Sequence, residues 1–374
     1  MIYLYYTDKF QGYNFGPEHP LNPIRLALAY ELIEESGLLD SQTMQIRPSP
    51  ASEEDLHMVH TLEYIESVRL ELPDLAFGLG SDDTPVFPGI FEASRIIAGG
   101  SIDAARRMLR EDCSTFNLGG GLHHAFPTQA AGFCVFNDVA LGICALKKRF
   151  SRILYLDIDG HHGDGVQQIF YEDPGVLTFS IHESGHYLFP GTGFVDEMGA
   201  GPGLGFSVNV PMPMYAGDQD YLLAFEEVVP KLFEWFRPQV VVAQLGVDTH
   251  YSDPLTSLNV TLTGYTQMVR RIIELTNKYA CGRLLALGGG GYSLEVVPVA
   301  WTSVLHLMRN EPLPEYLPPC WVELFSNMVG GEPLTLPDME MKPGKETQKR
   351  ITSELSGTLQ ELKRLQSAIH PEIF

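Results

Sequence analysis

Positive charge is scarce in this sequence, and cysteine is too infrequent for a disulfide framework. The 374 residues include 25 lysines and arginines against 47 aspartates and glutamates, which gives a formal net charge of −22. Such an excess of carboxylates disfavours binding to the phosphates of nucleic acids or of anionic membranes. The five cysteines show no paired spacing, which is typical of reduced thiols. We therefore expect a cytoplasmic protein that has neither a nucleic-acid partner nor a membrane partner.

Long hydrophobic runs and a basic leader are also missing. No run reaches the roughly 18 apolar residues that a membrane span requires. The apolar start, MIYLYYTDKF, has no basic residues before it and is interrupted by Asp8, so we expect no signal peptide. A charged share of 19% with dispersed glycine and proline excludes a disordered or collagen-like chain.

The apolar residues that are present follow an α/β pattern. Five short runs are apolar on both faces, as in buried strands of a parallel sheet: residues 2–6, 153–158, 176–181, 240–245 and 284–287. Segments with helical spacing occur between and after them: residues 23–36, 138–148, 221–236, 265–279 and 296–308. This alternation predicts an α/β fold with a single open parallel sheet and helices on both faces. A Pro-rich segment and a final helix at residues 346–368 would pack on the same domain.

Polar residues gather where the predicted strands end, which is where open parallel sheets carry their binding sites. Asp157, Asp159 and His161 are spaced two residues apart, so their side chains share one face of the extended chain. Buried carboxylates side by side require a cation. Asp248 follows another buried run, residues 240–245, in the same way. Of these residues, Asp159, His161 and Asp248 offer three protein ligands. This is the number that a catalytic zinc uses while keeping one position open.

Two histidines and a tyrosine complete the candidate site. His123 and His124 are adjacent, and Tyr292 follows four consecutive glycines. The carboxylates of Asp157 and Asp164 could orient the two imidazoles. A histidine pair or a glycine run alone is more often structural. The D-x-D-x-H-H-G-D cluster is the feature that favours a metal site.

Six segments together resemble the zinc-dependent histone deacetylase family of the arginase/deacetylase superfamily. They are GGLHHA (120–125), GFCVFND (132–138), YLDIDGHHGDGV (155–166), FPGTG (189–193), QLGVDTH (244–250) and GGGGY (288–292). Their order and spacing match across roughly residues 3–308, and VDTHYSDPL is most similar to the bacterial acetoin-utilization branch. The resemblance implies an arginase-like fold, with a deacetylase catalytic domain at residues 1–310 and residues 311–374 packed against it.

The resemblance assigns the chemistry residue by residue. The metal ligands would be Asp159, His161 and Asp248. Zinc is the implied ion, and Fe²⁺ or Co²⁺ are alternatives because two carboxylates make a hard site. His124, paired with Asp164, would be the general base, and His123, paired with Asp157, its electrostatic neighbour. Tyr292 would donate a hydrogen bond to the substrate carbonyl. The implied catalytic and metal-binding residues are therefore Asp159, His161, Asp248, His123, His124, Asp157, Asp164 and Tyr292.

The same resemblance assigns residues to substrate binding. A narrow apolar tunnel would be walled by Phe133, Phe189 and Leu255, and the Gly132 carbonyl would accept the substrate amide N–H. Arg25 would line an internal channel for acetate. At the rim a carboxylate would hold the substrate backbone, and this role falls to Asp83 or to its neighbour Asp82. Two K⁺ sites are also implied, one at Asp157, Asp159, His161, Ser180 and Ile181 and one at Phe170, Asp173 and Val176.

The sequence therefore predicts a metal-dependent amidohydrolase that removes acetyl groups from lysine side chains of proteins. A deacetylase of acetylpolyamines or other small acylated amines is the main alternative. A two-manganese ureohydrolase would need a doubled aspartate pattern near Asp248, where only Asp253 is offered. A non-catalytic acetyl-lysine binder would have no need for Tyr292. The oligomeric state is not predicted.

Overall fold

One parallel sheet forms the centre of the protein. The computed structural model describes residues 1–339 and 341–374. The strands are β1 Ile2–Tyr5, β2 Thr43–Ile46, β3 Ser114–Asn117, β4 Ile153–Asp157, β5 Val176–Glu183, β6 Ser207–Met212, β7 Val240–Gln244 and β8 Leu284–Leu287. Within the described residues they form one eight-stranded sheet in the order β2-β1-β3-β8-β7-β4-β5-β6. Every pairing is parallel, which confirms the predicted fold class.

Helices cover the sheet. They are α1 Ile24–Glu35, α2 Glu53–Leu56, α3 Leu62–Leu70, α4 Ile90–Met108, α5 Asp138–Leu146, α6 Asp164–Ile169, α7 Asp218–Phe236, α8 Leu262–Ala280, α9 Val297–Met308, α10 Pro319–Val329 and α11 Lys345–Ile369. Successive strand residues point to opposite faces, and β1, β4, β5, β7 and β8 are buried at every position. Both faces of these strands are therefore covered. Among the described helices, none combines the length and apolar character needed to cross a bilayer.

Three strands were absent from the sequence prediction. The edge strand β2 reads TMQI and is only partly buried, while β3 reads STFN and begins with two hydroxyl residues. The other edge strand, β6, contains Asn209 and Pro211. None of these segments is a continuous apolar run, so the signal that identifies buried parallel strands is missing. Their place in the sheet depends on pairing with neighbours that are distant in sequence.

The C-terminal helix α11 lies against β6 and α7. Ile351, Leu355, Leu359 and Leu362 are buried on one side of it, at helical spacing. Lys363 on the same helix forms a 2.6 Å ion pair with Glu227 of α7. The apolar stripe accounts for the docking of α11 onto the sheet, and residues 311–344 connect it to α9.

The strand order brings the candidate site together. β7 lies between β8 and β4, and β3 lies on the other side of β8. All these strands run in the same direction, so the loops that follow them leave the sheet at one edge. The histidine pair, the aspartates and the tyrosine follow β3, β4, β7 and β8, and they therefore converge there.

The buried His60 makes the stability of the fold sensitive to acid. The residue is 2% exposed, its Nδ1 lies 3.1 Å from the Phe126 carbonyl oxygen, and its Nε2 accepts the Asn137 N–H at 3.0 Å. Burial lowers the pKa of His60 to about 4. The neutral imidazole is therefore the form that the folded protein requires.

Replacing His60 with glutamine should remove part of the pH dependence of stability. The folded-state pKa lies below the value of about 6.5 in the unfolded chain, so His60 contributes stability above pH 6.5 that is lost towards pH 4. Between pH 7.5 and 4.5 the wild type should lose about 2–3 kcal/mol more unfolding free energy than His60→Gln, as measured in urea. The exposed His57 provides the control, since His57→Gln should keep the wild-type dependence. Equal slopes for wild type and His60→Gln would contradict this account.

Candidate functional site

Three buried ligand groups meet at the ends of β4 and β7. Asp159, His161 and Asp248 offer one atom each, and these atoms lie within 4.8 Å of one another. His161 Nδ1 is 2.8 Å from Asp248 Oδ2 and 3.3 Å from Asp159 Oδ1. Two carboxylate oxygens and an imidazole nitrogen aimed at one point are a donor set that fits a divalent cation.

The electrostatics of this cluster also favour a cation. Burial opposes protonation of His161, but the two carboxylates outweigh it and raise the His161 pKa. Burial, together with the negative charge of Asp159, raises the pKa of Asp248 to about 6. Each group thus responds to an excess of buried negative charge, and a bound cation would relieve that excess.

The tandem histidines each contact a separate carboxylate. His123 Nδ1 lies 2.9 Å from Asp157 Oδ2, and His124 Nδ1 lies 2.7 Å from Asp164 Oδ1. The two Nε2 atoms are 3.0 Å apart. Burial lowers the pKa of His124, and His123 lowers it further. Burial has the same effect on His123, but Asp157 and nearby carboxylates overcome it and raise its pKa to about 9. His124 is therefore the histidine better suited to accept a proton.

Tyr292 lies beside the metal-ligand cluster and beside Phe133, one of the residues predicted to wall a tunnel. Its ring centre is 6.4 Å from that of His161 and 5.8 Å from that of Phe133, in edge-to-face arrangements. Its backbone N–H donates to Asp253 Oδ2 at 2.8 Å. Burial raises the Tyr292 pKa well above its usual value, so the side chain stays a phenol that can donate a hydrogen bond.

The glycine run allows the backbone to approach the aspartates. Gly290 N–H donates to Asp159 Oδ2 at 2.7 Å. A Cβ atom at Gly290 would lie 2.6 Å from the same oxygen, which leaves no room for a side chain. Gly289 has φ +95°, a conformation that glycine adopts at little cost. These constraints account for two of the four glycines before Tyr292.

Two polar contacts of the aspartates were missed by the sequence analysis. Gln244 Nε2 donates to Asp159 Oδ2 at 2.7 Å, and Tyr155 Oη donates to Asp157 Oδ2 at 2.5 Å. Both side chains are buried in apolar strands. The polar Gln244 at the end of the apolar run of β7 could have indicated a buried hydrogen bond. Tyr155 gave no such indication, because tyrosine is common within strands.

Of the residues predicted to wall a tunnel, Phe133 and Phe189 contact the site, and Leu255 is linked to it through Asp253. Phe133 has φ +66°, and its carbonyl accepts the Tyr13 hydroxyl at 2.6 Å. The Phe189 ring is 5.1 Å from that of His124, yet 45% of the residue is exposed, which is expected at a tunnel mouth. Leu255 is half-buried, and its N–H donates to Asp253 Oδ1 at 3.0 Å.

A hydrogen bond joins Gly132 to Asp83. The Gly132 N–H donates to Asp83 Oδ2 at 2.7 Å, while Asp82 is exposed. The Gly132 carbonyl accepts the Cys134 thiol at 3.2 Å. Asp83 thus supports the loop that carries Phe133, and this contact had not been expected for a rim carboxylate.

Arg25 is buried beneath the glycine run. Its Nη1 donates to the carbonyls of Gly289 and Gly291 at 2.9 and 2.8 Å, and its guanidinium lies over the Trp301 ring. One interior cavity is lined by Leu21, Arg25, Gly121, Leu122, His123, His124, Gly132, Phe133, Cys134, Asp159, Gly289, Gly290 and Tyr292. Arg25 therefore reaches the same cavity as the histidines and the tyrosine.

The residues predicted to bind K⁺ lie in two places. Ser180 pairs with Asp157 across β4 and β5. Phe170, Asp173 and Val176 follow α6, where the Asp173 N–H donates to the Phe170 carbonyl and the Val176 N–H to that of Asp173. The remaining predicted positions, all buried, are Asp159, His161 and Ile181. Both K⁺ sites stay predictions.

Comparison with known proteins agrees with this geometry. Residues 19–308 match the sequence model of the histone deacetylase domain. The chain is 40% identical over 348 residues to the acetoin utilization protein AcuC of Bacillus subtilis, covering 90% of this chain and 89% of that one. It is 37% identical to AcuC of Staphylococcus xylosus, with 85% of each chain covered.

Solved structures are similar over nearly the whole chain. A histone deacetylase homolog from Aquifex aeolicus superposes with a TM-score of 0.85 at 31% identity, covering 96% of this chain and 99% of that one. A homolog complexed with SAHA gives a TM-score of 0.86 at 32% identity, with the same coverage. This chain therefore belongs to the histone deacetylase family and, within it, to the branch of the acetoin-utilization proteins.

Proposed function

We propose that the protein is a metal-dependent deacetylase that hydrolyses the acetyl-lysine amides of proteins. One observation carries the proposal: Asp159 of the ligand cluster, the two carboxylate-held histidines and the Tyr292 phenol line one cavity. The proposal includes a cytoplasmic location, which is supported by five cysteines that are all free thiols.

Asp159, His161 and Asp248 would hold the cation, zinc in this proposal with Fe²⁺ or Co²⁺ as alternatives. When bound, the cation supplies Lewis-acid polarisation of the acetyl carbonyl and of the attacking water. Two carboxylates and one imidazole would supply three protein ligands, the number found in catalytic zinc sites. Gln244 and the Gly290 N–H hold Asp159 Oδ2, so that the carboxylate is oriented before a cation arrives.

His124 would move the proton. Its Nδ1 is held by Asp164, which leaves Nε2 to accept a proton from the attacking water and later deliver it to the leaving amine. The lowered pKa of His124 keeps it neutral before the reaction. His123, held by Asp157, places a positive charge beside it and favours return of the proton.

Tyr292 would stabilise the oxyanion, because its un-ionised hydroxyl is a hydrogen-bond donor. Tyr292→Phe should lower kcat on an acetyl-lysine peptide by about 100-fold or more, with KM within a few-fold, since the bond forms mainly in the transition state. The matched control is Tyr279→Phe near the end of α8, shortly before β8 begins at Leu284, which should leave kcat unchanged. An unaltered kcat in Tyr292→Phe would contradict the mechanism.

The metal requirement can be measured directly. Elemental analysis should find one divalent cation per chain, and a chelator should abolish activity until Zn²⁺, Fe²⁺ or Co²⁺ is restored. Asp248→Asn should lower this metal content because it removes one of the two anionic ligands. Activity that survives complete metal removal would exclude the proposal, and two cations per chain would favour a ureohydrolase.

The substrate class is tested by competition between acylated amines. The net charge of −22 should attract the cationic residues that flank acetyl-lysine, so kcat/KM should be higher for a lysine-rich acetylated peptide than for an uncharged one. This preference should weaken as ionic strength rises. An acetylated polyamine with a higher kcat/KM than every peptide would assign the protein to small amines instead.

A further inference from the structure

A short C-terminal segment contacts two of the loops that carry the site, those after β7 and β8. Residues 334–338, which we name the clasp, belong to the Pro-rich region beyond the family match at residues 19–308. The Leu334 N–H donates to the Glu295 carbonyl at 3.1 Å, in the loop that follows Tyr292. Asp338 Oδ2 lies 2.9 Å from His250 Nε2, in the loop that follows Asp248.

The bond between His250 and Asp338 is fully enclosed, because their side chains are 1% and 0% exposed. The Ser252 N–H donates to His250 Nδ1 at 3.2 Å, so Nδ1 is an acceptor and Nε2 carries the proton donated to Asp338. Asp338 Oδ2 also accepts the Leu262 N–H at 2.9 Å, at the start of α8. A covered carboxylate needs such partners, and they determine where the clasp lies.

His250 connects Asp338 to the catalytic groups through one turn. The His250 carbonyl accepts the Asp253 N–H at 2.8 Å. Asp253 in turn accepts the backbone N–H of Tyr292 through Oδ2 and that of Leu255 through Oδ1. His250 also lies only two residues after the ligand Asp248. Movement of this turn would therefore shift a metal ligand, the phenol and a tunnel residue together.

We propose that Asp338 is a positioning residue for catalysis: through His250 it maintains the spacing of Asp248 and Tyr292. The inference rests on the proposed deacetylase function. A purely structural role would make Asp338 a cap for α8 only, since Leu262 begins that helix. The two roles differ in whether the geometry of the metal-ligand cluster changes when Asp338 is replaced.

The test compares three variants of the full chain at a temperature where all are folded. Asp338→Ala should lower kcat on an acetyl-lysine peptide by about 10-fold with KM within about 3-fold, because small displacements of reacting groups are costly. Asp338→Asn should restore most of kcat, since its amide oxygen can still accept from His250 and Leu262. The control is Thr261→Ala, which removes the other cap of α8 and should lower stability but not kcat.

The second readout is the visible absorption spectrum of the Co²⁺-loaded protein, which reports ligand geometry without turnover. The spectrum should change in Asp338→Ala and remain that of the wild type in Asp338→Asn and Thr261→Ala. If Asp338→Ala matches Thr261→Ala in kcat and in spectrum, Asp338 is only a helix cap and the proposal is wrong.

Two further outcomes distinguish a failure of the proposal for Asp338 from a failure of the proposed function. If Asp338→Ala does not fold, His250→Ala breaks the same bond but leaves Asp338 on the α8 amides, and wild-type kcat and spectrum there would overturn the proposal. If the wild type deacetylates neither peptides nor polyamines, the proposed function fails. The cobalt spectra of the variants would still decide whether the clasp positions the cluster.

Discussion

Three carboxylates, those of Asp157, Asp159 and Asp248, are buried at the carboxyl ends of two adjacent strands, where uncompensated charge would be strongly destabilising. Each is compensated by a different set of donors. Asp157 faces His123 and Tyr155, and Asp159 faces Gln244 and a glycine amide. Asp248 accepts a backbone N–H and contacts His161. The remaining negative charge is what a divalent cation would neutralise, so the same constraint that organises the folded site also makes it a candidate metal site.

The sheet order is what brings these charges together. Asp157 and Asp159 follow β4, Asp248 follows β7, and Tyr292 follows β8, three neighbouring strands that all point the same way. Glycines let the loop after β8 pass within hydrogen-bond distance of Asp159, and Arg25 holds that loop from below. Two of the predicted tunnel positions are held by hydrogen bonds to aspartates: Asp83 accepts from Gly132, next to Phe133, and Asp253 accepts from Leu255. The geometry of the site therefore depends on contacts among several loops, and the clasp contacts two of them, those after β7 and β8.

Strands with continuous apolar sequences were predictable, and the polar strands were not. The sequences of β4, β7 and β8 are apolar at nearly every position, which indicates strands buried on both faces. The aspartates that follow β4 and β7 are recognisable because an unpaired carboxylate is unfavourable in a protein core. β3 is central in the sheet yet reads STFN, and its position depends on pairing with β1 and β8. Gln244 and Tyr155 could not be assigned roles, because an ordinary strand residue becomes important only when its partner across the sheet is known.

The sequence alone determined the fold class and the chemical types at the centre, since these follow from periodicity and from residues that are unfavourable in a core without a partner. The resemblance of six segments to the histone deacetylase family implied the family and the pairing of each histidine with its aspartate. Only the tertiary structure decided that two strand side chains donate to the buried aspartates, that Asp83 supports the Gly132 loop, and that Asp338 reaches His250 across 88 residues of sequence. The physical reason is that hydrogen bonds and buried charges act over a few ångströms, and those distances are established by packing between segments that are far apart in the chain.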